Sequence, residues 1–303
     1  MNLHLLAPRV DFARQMTAEV TVEAEYGAFV WEGRLYTAAH HQPALSPYAG
    51  RHVRPDGRPS PCNDDAIPVL HSGGLVGCSH LDLDTFGGLL RTESDHTHLF
   101  GPDSAPFWDL AEQVDVRGPH RLQDLGTPAL RNQVRAFWAW CRRQHVPDDR
   151  VSDISFLVRE AALIVLESLV EAPHRINEGV ALLDAETESN RTTFVHASGR
   201  VILRHLNDPG GFVNGLYRCP DGTLEEGVVT WSRPKGSITL SIAEPSSHPN
   251  IDCRALAQTL WGPEAGGHVG IAGTPRGSRY GFEEAERACV ALRSLLLVRR
   301  EAP

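Results

Sequence analysis

Residues 19–26 alternate polar and apolar positions, with Val20, Val22, Ala24 and Tyr26 on one side, and residues 28–36 carry Phe29, Val30, Trp31, Leu35 and Tyr36 about a turn. A period of two is that of a half-buried strand, so both stretches, and the short apolar run at 2–6, predict β-structure. Leu75-Val76 reads as the end of a buried strand, with a short helix continuing through Leu89-Leu90-Arg91. The spacing then changes to that of a helix. Phe107, Leu110, Ala111 and Val114 share one face of residues 107–115. Val134, Phe137, Trp138 and Cys141 do so within 129–145, and Ile154, Leu157, Ala161, Ile164, Leu166 and Leu169 within 153–171. Ser152 is the expected N-cap of the last of these, Pro173 its stop, and 176–188 a third helix. Beyond residue 190 strands are predicted at 192–196, 201–206, 227–231 and 237–242. A helix over 251–261, a glycine-rich stretch at 262–273 and a closing helix over 282–298 follow.

This order predicts an α/β chain of two domains joined by a helical connector: residues 1–145, a connector over 146–190, and a smaller α/β domain over 191–303. A length of 303 residues suits two domains, and a hydrophobic content of 41% suffices for two cores. The net charge of −9 argues against broad binding to a nucleic-acid backbone, while leaving room for a small anionic ligand held by a local basic patch. Six cysteines without a C-x-x-C pair read as reduced thiols. With no secretory signal pattern and no membrane-length apolar run, a cytoplasmic location is expected.

Candidate chemistry centres on Cys78-Ser79-His80-Leu81-Asp82-Leu83-Asp84-Thr85-Phe86-Gly87-Gly88. His80, Asp82 and Asp84 follow the strand at alternating spacing, which aims all three at one point, and Gly87-Gly88 let a helix start close by. Two carboxylates and an imidazole on one short loop suit a divalent cation; a solvated polar loop is the plainer alternative. His40 and His41 sit together at a predicted strand end. Adjacent side chains diverge there, so one of them can be a direct ligand and the other a substrate or supporting contact. Nine of the fifteen histidines lie within the first 120 residues, which favours a metal site in that part of the chain. Residues 43–68 form a long Pro/Gly/Ser/Asp-rich loop carrying Arg51, His52, Arg54 and Arg58. His96 and His98 form an H-x-H that reads equally as a chelate or a surface turn. Asp115 and His120 flank a Gly-Pro turn at a helix end. In Gly266-Gly267-His268-Val269-Gly270-Ile271-Ala272-Gly273 the glycines let backbone N–H groups approach an anion, and His268 offers a donor.

The two ends together resemble the DHH phosphoesterase superfamily with its associated C-terminal domain. Residues 266–273 are similar to that domain's G-G-H-x-x-A-A-G signature, and 237–242 and 251–257 resemble its preceding strand and helix. Ser79 to Gly88 is similar to the family's first metal motif, H-x-D-x-D followed by small residues. The chain departs from the family in lacking an Asp-His-His string. The nearest, Ala39-His40-His41-Gln42-Pro43, precedes the first motif, which implies a rearranged N-terminal domain.

The resemblance implies a hydrolase: a metal-dependent phosphoesterase acting on a phosphodiester or phosphomonoester of a nucleotide or short oligonucleotide. One or two ions of Mn²⁺ or Mg²⁺ would be held by His40, His80, Asp82, Asp84 and Asp115, the last as the bridging aspartate. His41 and His120 would move protons, and Gly266, Gly267, His268 and Gly273 would hold the substrate. The expected partners are that substrate, without bulk duplex nucleic acid or membrane, and a homodimer stays open. Two alternatives also stay open: a metal-dependent hydrolase of a non-phosphate substrate, and a non-catalytic binding protein.

Overall fold

The computed structural model describes residues 1–7, 20–22, 29–31, 34–36, 73–78, 80–117, 119–147, 149–207, 216–267, 269–275 and 277–297. Its helices and sheets make an α/β chain, as the hydrophobic pattern predicts. The chain divides into two compact units, the first formed by residues 1–116 and 122–182, the second by 117–121 and 183–303.

In the first unit, β1 (Leu3–Leu6), β2 (Val20–Val22), β5 (Leu75–Cys78) and β6 (Ser152–Asp153) form a sheet in the order β2-β5-β1-β6. β5 runs parallel to both β1 and β2, with Leu3 opposite Leu75 and Leu6 opposite Cys78, and β6 is antiparallel to β1. A separate hairpin pairs β3 (Phe29–Trp31) with β4 (Arg34–Tyr36). Four helices belong wholly to this unit by sequence or nearly so: α1 (Leu83–Arg91), α2 (Ala105–Arg117), α3 (Pro128–Cys141) and α4 (Ser155–Leu169). The predicted apolar faces are for the most part the ones buried, with the exception of Leu166, which the helical turn of α4 carries to the exposed side, and Trp138, which is half-buried. Phe107, Leu110, Ala111 and Val114 of α2 join Phe86 and Leu89 of α1, Val134, Phe137 and Trp140 of α3, and Leu157 and Ile164 of α4. The ring of Phe86 lies 4.8 Å from that of Trp140, and Phe137 stacks on Trp140 at 6.0 Å. Burying each such ring contributes roughly 2–3 kcal/mol.

Helix boundaries follow local chemistry that the pattern only partly announced. Thr127 caps α3 by accepting from the Leu130 N–H at 3.2 Å, with Pro128 at the first helical position. Ser152 does not cap α4: it pairs with Leu6 in β6, Ile154 occupies the cap position, and Asp153 accepts from the Ser155 N–H at 2.9 Å. Pro173 opens α5 (Pro173–Thr193), a position where its missing N–H costs nothing; α4 has already ended at Leu169. Gly87 and Gly88 lie inside α1, buried, and the helix starts four residues before the first of them.

The second unit holds a six-stranded sheet in the order β11-β12-β10-β9-β8-β7, from β7 (Phe194–Ala197), β8 (Val201–Leu206), β9 (Gly227–Ser232), β10 (Ser237–Ile242), β11 (Gly266–Gly267) and β12 (Ile271–Gly273). Only the β8–β9 pair is parallel. Period-two alternation splits the strands between two cores. Leu203, Val229 and Leu240 pack with α6 (Cys253–Trp261) and α7 (Phe282–Leu297), whereas Ile202 and Val228 pack with Leu216, Tyr217 and Ala243. Arg204 of β8 is fully buried and spends its guanidinium on neutral acceptors: Nε donates to Leu216 O (2.7 Å), Nη1 to Asn190 O (2.6 Å) and Thr193 Oγ1 (3.1 Å), and Nη2 to Asn190 Oδ1 and Arg218 O. Burial lowers its pKa to about 10, so it stays charged at neutral pH. Among the described residues no helix is long and apolar enough to cross a membrane.

Candidate metal centre

β5 delivers the chain from the sheet into the segment that carries His80 and Asp82, and α1 begins one residue later. Asp82 has an extended backbone (φ −150°, ψ −164°) and is the N-cap of α1, its Oδ1 accepting the Thr85 N–H at 3.0 Å. Its Oδ2 lies 3.0 Å from His80 Nε2, and these two side chains keep 32% and 31% of their surface exposed. Asp84 falls in the first turn of α1, buried, and is hydrogen-bonded to Asp82. Asp82 therefore neighbours both His80 and Asp84, through a cap and a helical turn instead of the alternating strand geometry their spacing suggested.

The electrostatics keep Asp82 anionic. Burial pushes its carboxyl pKa up. The charge of His80 and hydrogen bonds from His80, Asp84 and Thr85 outweigh that and hold it well below the usual carboxylate range. A helix N-terminus favours the same charge state. Cys141, the last residue of α3, feels Asp82 from the core side. Burial first, then the Asp82 charge, raises its thiol well above the ordinary value, so it is a neutral packing group and no nucleophile. No sequence spacing linked Cys141 to Asp82; the two are brought near one another by the packing of α3 on α1.

The donor types fit a hard divalent cation: an imidazole nitrogen and a carboxylate oxygen face one another across 3.0 Å. Among the described residues, however, no three His, Cys, Asp or Glu side chains are disposed to hold an ion. His40 and His41 lie outside the described residues, as does the loop at 43–68. Asp115 is placed on α2, with its side chain outside the described set.

The remaining expected site residues sit in the second unit. His120, in a 3₁₀ turn (Pro119–Asp124), is buried with its ring 4.3 Å from that of Tyr217, whose hydroxyl lies 2.5 Å from Ser241 Oγ. Its neighbour Arg121 pairs with Glu244 at 3.2 Å. The glycine-rich stretch is a hairpin in which Gly266 faces Gly273 and Gly267 faces Ala272. Gly267 has φ +144°, and a Cβ there would lie 2.4 Å from Ile271 O; one on Gly273 would lie 2.9 Å from Ile238 O. Both glycines thus meet a requirement of the sheet itself. Gly266 has open space around it and is exposed. His268 is outside the described residues. His96 and His98 lie on a 3₁₀ helix (Ser94–Phe100), their ring centroids 6.4 Å apart, with His98 Nδ1 3.1 Å from Asp95 O.

One polar cluster escaped the sequence reading. At the opposite, N-terminal end of β1 and β5, Asn2 Nδ2 donates to Thr92 O (2.8 Å) and the Gly74 N–H donates to Asn2 Oδ1 (2.9 Å). The Asn2 N–H donates to Glu93 Oε1 at 2.7 Å. His4, fully buried, places Nε2 3.1 Å from Thr92 Oγ1 and 3.6 Å from Glu93 Oε1. Its only signal was two polar residues, Asn2 and His4, at alternate positions of an otherwise leucine-rich strand.

No family model matches the chain, and no curated protein does. Among solved structures it is similar to the pGpG-specific phosphodiesterase PggH from Vibrio cholerae, with 12% identity, a TM-score of 0.38, and coverage of 78% of this chain and 82% of that one. It is also similar to an uncharacterized protein from Helicobacter pylori G27, with 14% identity, a TM-score of 0.21, and coverage of 63% and 52%. Likenesses of this size carry no argument about activity, and the site is read from its own residues.

Proposed function

We propose that the chain is a metal-dependent phosphoesterase that hydrolyses a phosphodiester or phosphomonoester of a nucleotide or short oligonucleotide. The observation that carries the reading is the pairing of His80 with Asp82 where β5 hands over to α1, with Asp84 in the first helical turn, at the carboxyl end of a parallel strand, the edge at which α/β sheets bind ligands. The H-x-D-x-D string and the glycine hairpin resemble the DHH superfamily in the same order along the chain. His80, Asp82 and Asp84, with His40 and Asp115, would hold one or two ions of Mn²⁺ or Mg²⁺. Such an ion would supply Lewis-acid polarisation of a phosphoryl oxygen and a lowered pKa for a bound water.

The chain's own groups have separable tasks. Asp82 contributes a carboxylate whose ionised form its neighbours favour and whose direction is fixed by its bond to the Thr85 N–H. His80 orients that carboxylate from the other side. His41 and His120 would carry protons to and from the ester oxygens. Backbone N–H groups at Gly266 and Gly267, with Gly273 and His268, would receive the far end of the anion.

Asp82→Asn tests the assignment cleanly, because asparagine still caps a helix and keeps an oxygen for the Thr85 N–H while losing the charge. Elemental analysis of the purified chain and a panel led by linear dinucleotides such as pGpG, with phosphomonoesters and amides beside them, are the measurements. Expected are metal-stimulated release of phosphate ester products, at least ~100-fold slower turnover in Asp82→Asn, and a cooperative melt at a somewhat lower temperature, since the fold favours the ionised carboxylate. Full turnover in that variant, or cleavage of amides only, overturns the proposal.

A further inference from the structure

Helix α4 is apolar on nearly every side, a composition found in helices that are covered all round. Leu157, Val158, Ala161, Ala162, Ile164 and Val165 are buried in the first unit's core. Yet Phe156, Leu163, Leu166 and Val170, the last just past the helix end, are 56%, 53%, 40% and 75% exposed. With Arg159, Glu160 and Glu167 they make one stripe at helical spacing.

A twofold rotation centred on Leu163 pairs the positions of the stripe charge to charge and apolar to apolar at two of three separations. Phe156 and Val170 each stand seven residues from it and Arg159 and Glu167 four. Two copies of α4 laid antiparallel about that point bring Leu163 against Leu163, Phe156 against Val170 and Arg159 against Glu167 twice, while Glu160 falls beside Leu166 with its carboxylate at the edge of the stripe. The charges are available for it. Among the described residues Arg159 has no carboxylate within ion-pair distance, its Nη1 reaching only the Met1 sulfur at 3.2 Å. Arg175 and His174 both engage Glu167 through Oε2, at 2.5 and 3.3 Å, which leaves Oε1 for a further donor.

We propose that this stripe is the interface with a second copy of the chain, an isologous pair of α4 helices with Leu163 on the axis. A self-complementary patch is what a twofold dimer requires, and charge matching at both ends sets the antiparallel register. One helix face is a small interface, below about 1,200 Å² in total, so the dimer should exchange with monomer in the micromolar range.

Sedimentation velocity of the full chain over a concentration series tests this, with thermal melts confirming that each variant is folded; Leu163 is exposed, so its replacement leaves the core intact. Leu163→Glu sets two like charges face to face on the axis and is expected to raise the dissociation constant more than ~100-fold. In a Cys62→Ser background under mild oxidation, Leu163→Cys is expected to form a disulfide with its own copy. Val170→Cys is not, because the two positions would lie roughly 21 Å apart along antiparallel helices. The proposal is overturned if the chain is monomeric throughout, as it would be were another segment of the same chain to cover the stripe. It is equally overturned by a dimer indifferent to Leu163→Glu, or by Val170→Cys crosslinking as readily as Leu163→Cys.

Discussion

Acidification should loosen the first unit through a single buried imidazole. His4 is fully buried in β1, and burial lowers its pKa from 6.5 to about 4, against smaller upward contributions from a hydrogen bond to Leu89 and the charge of Asp153; His96 and the N-terminal amine add to the lowering. Its folded pKa lies below its unfolded one, so the unfolded chain binds the extra proton. Stability is therefore full above about pH 6.5, falls as the pH is lowered, and levels out below about pH 4. A gap of that size corresponds to a limit of about 3 kcal/mol and to about 2 kcal/mol by pH 5. Glu93, 3.6 Å from Nε2, can partly stabilise the charged ring, which makes these upper figures. Urea unfolding at stepped pH, with hydrogen exchange of peptides from residues 1–7 and 73–78 to localise the effect, gives the measurement. His4→Gln keeps an N–H donor for Thr92 and removes the titration, so it should flatten the dependence between pH 7 and pH 5. An identical slope in wild type and His4→Gln would refute the assignment of that proton to His4.

Two further substitutions probe the second unit. Arg204→Met removes the guanidinium hydrogen bonds to the Leu216, Asn190 and Arg218 carbonyls, and it should destabilise the unit by about 3–5 kcal/mol in urea unfolding; a loss under ~0.5 kcal/mol would show that the buried guanidinium is dispensable. Gly267→Ala places a methyl against Ile271 O and Ala272 at φ +144°, so the β11–β12 pairing should open while β8, β9 and β10 hold. Hydrogen exchange that stays slow across 266–273 in that variant would sink the claim that glycine is needed there.

Where the hydrophobic period was unbroken, the chain could be read directly. The α2 face of Phe107, Leu110, Ala111 and Val114 is buried as spaced, and the alternation of Ile202 and Leu203 sends one side chain to each core of the second unit. Features set by a single hydrogen bond were harder. Ser152 has the right chemistry for a cap, yet pairing with Leu6 claims it for the sheet, and a two-residue strand leaves no period to detect. Asp82 and Asp84 were legible as neighbours, but their alternation concealed a cap and a first helical turn, which look identical to a strand over so few positions. The His4 cluster was illegible because its partners, Thr92 and Glu93, arrive from about ninety residues away. Of the residues that the resemblance to the DHH superfamily implies, those at 40, 41 and 268 lie outside the described structure.

The place of β1 between β5 and β6 has a consequence for how the protein is made. Leu5 pairs with Gly77 on one side and with Asp153 on the other. A ribosome releases this strand before either partner, and the later of the two emerges only after some 150 further residues have been added. Closing loops of that length comes late and slowly, so the nascent first unit spends much of its synthesis with an unpaired leucine-rich strand exposed. The β9–β10 pair, joined by a four-residue turn, can form as soon as it clears the tunnel. Vectorial synthesis should therefore leave β1 among the last strands of its sheet to become protected, and make nascent chains stalled before residue 150 preferred clients of chaperones that bind apolar strands.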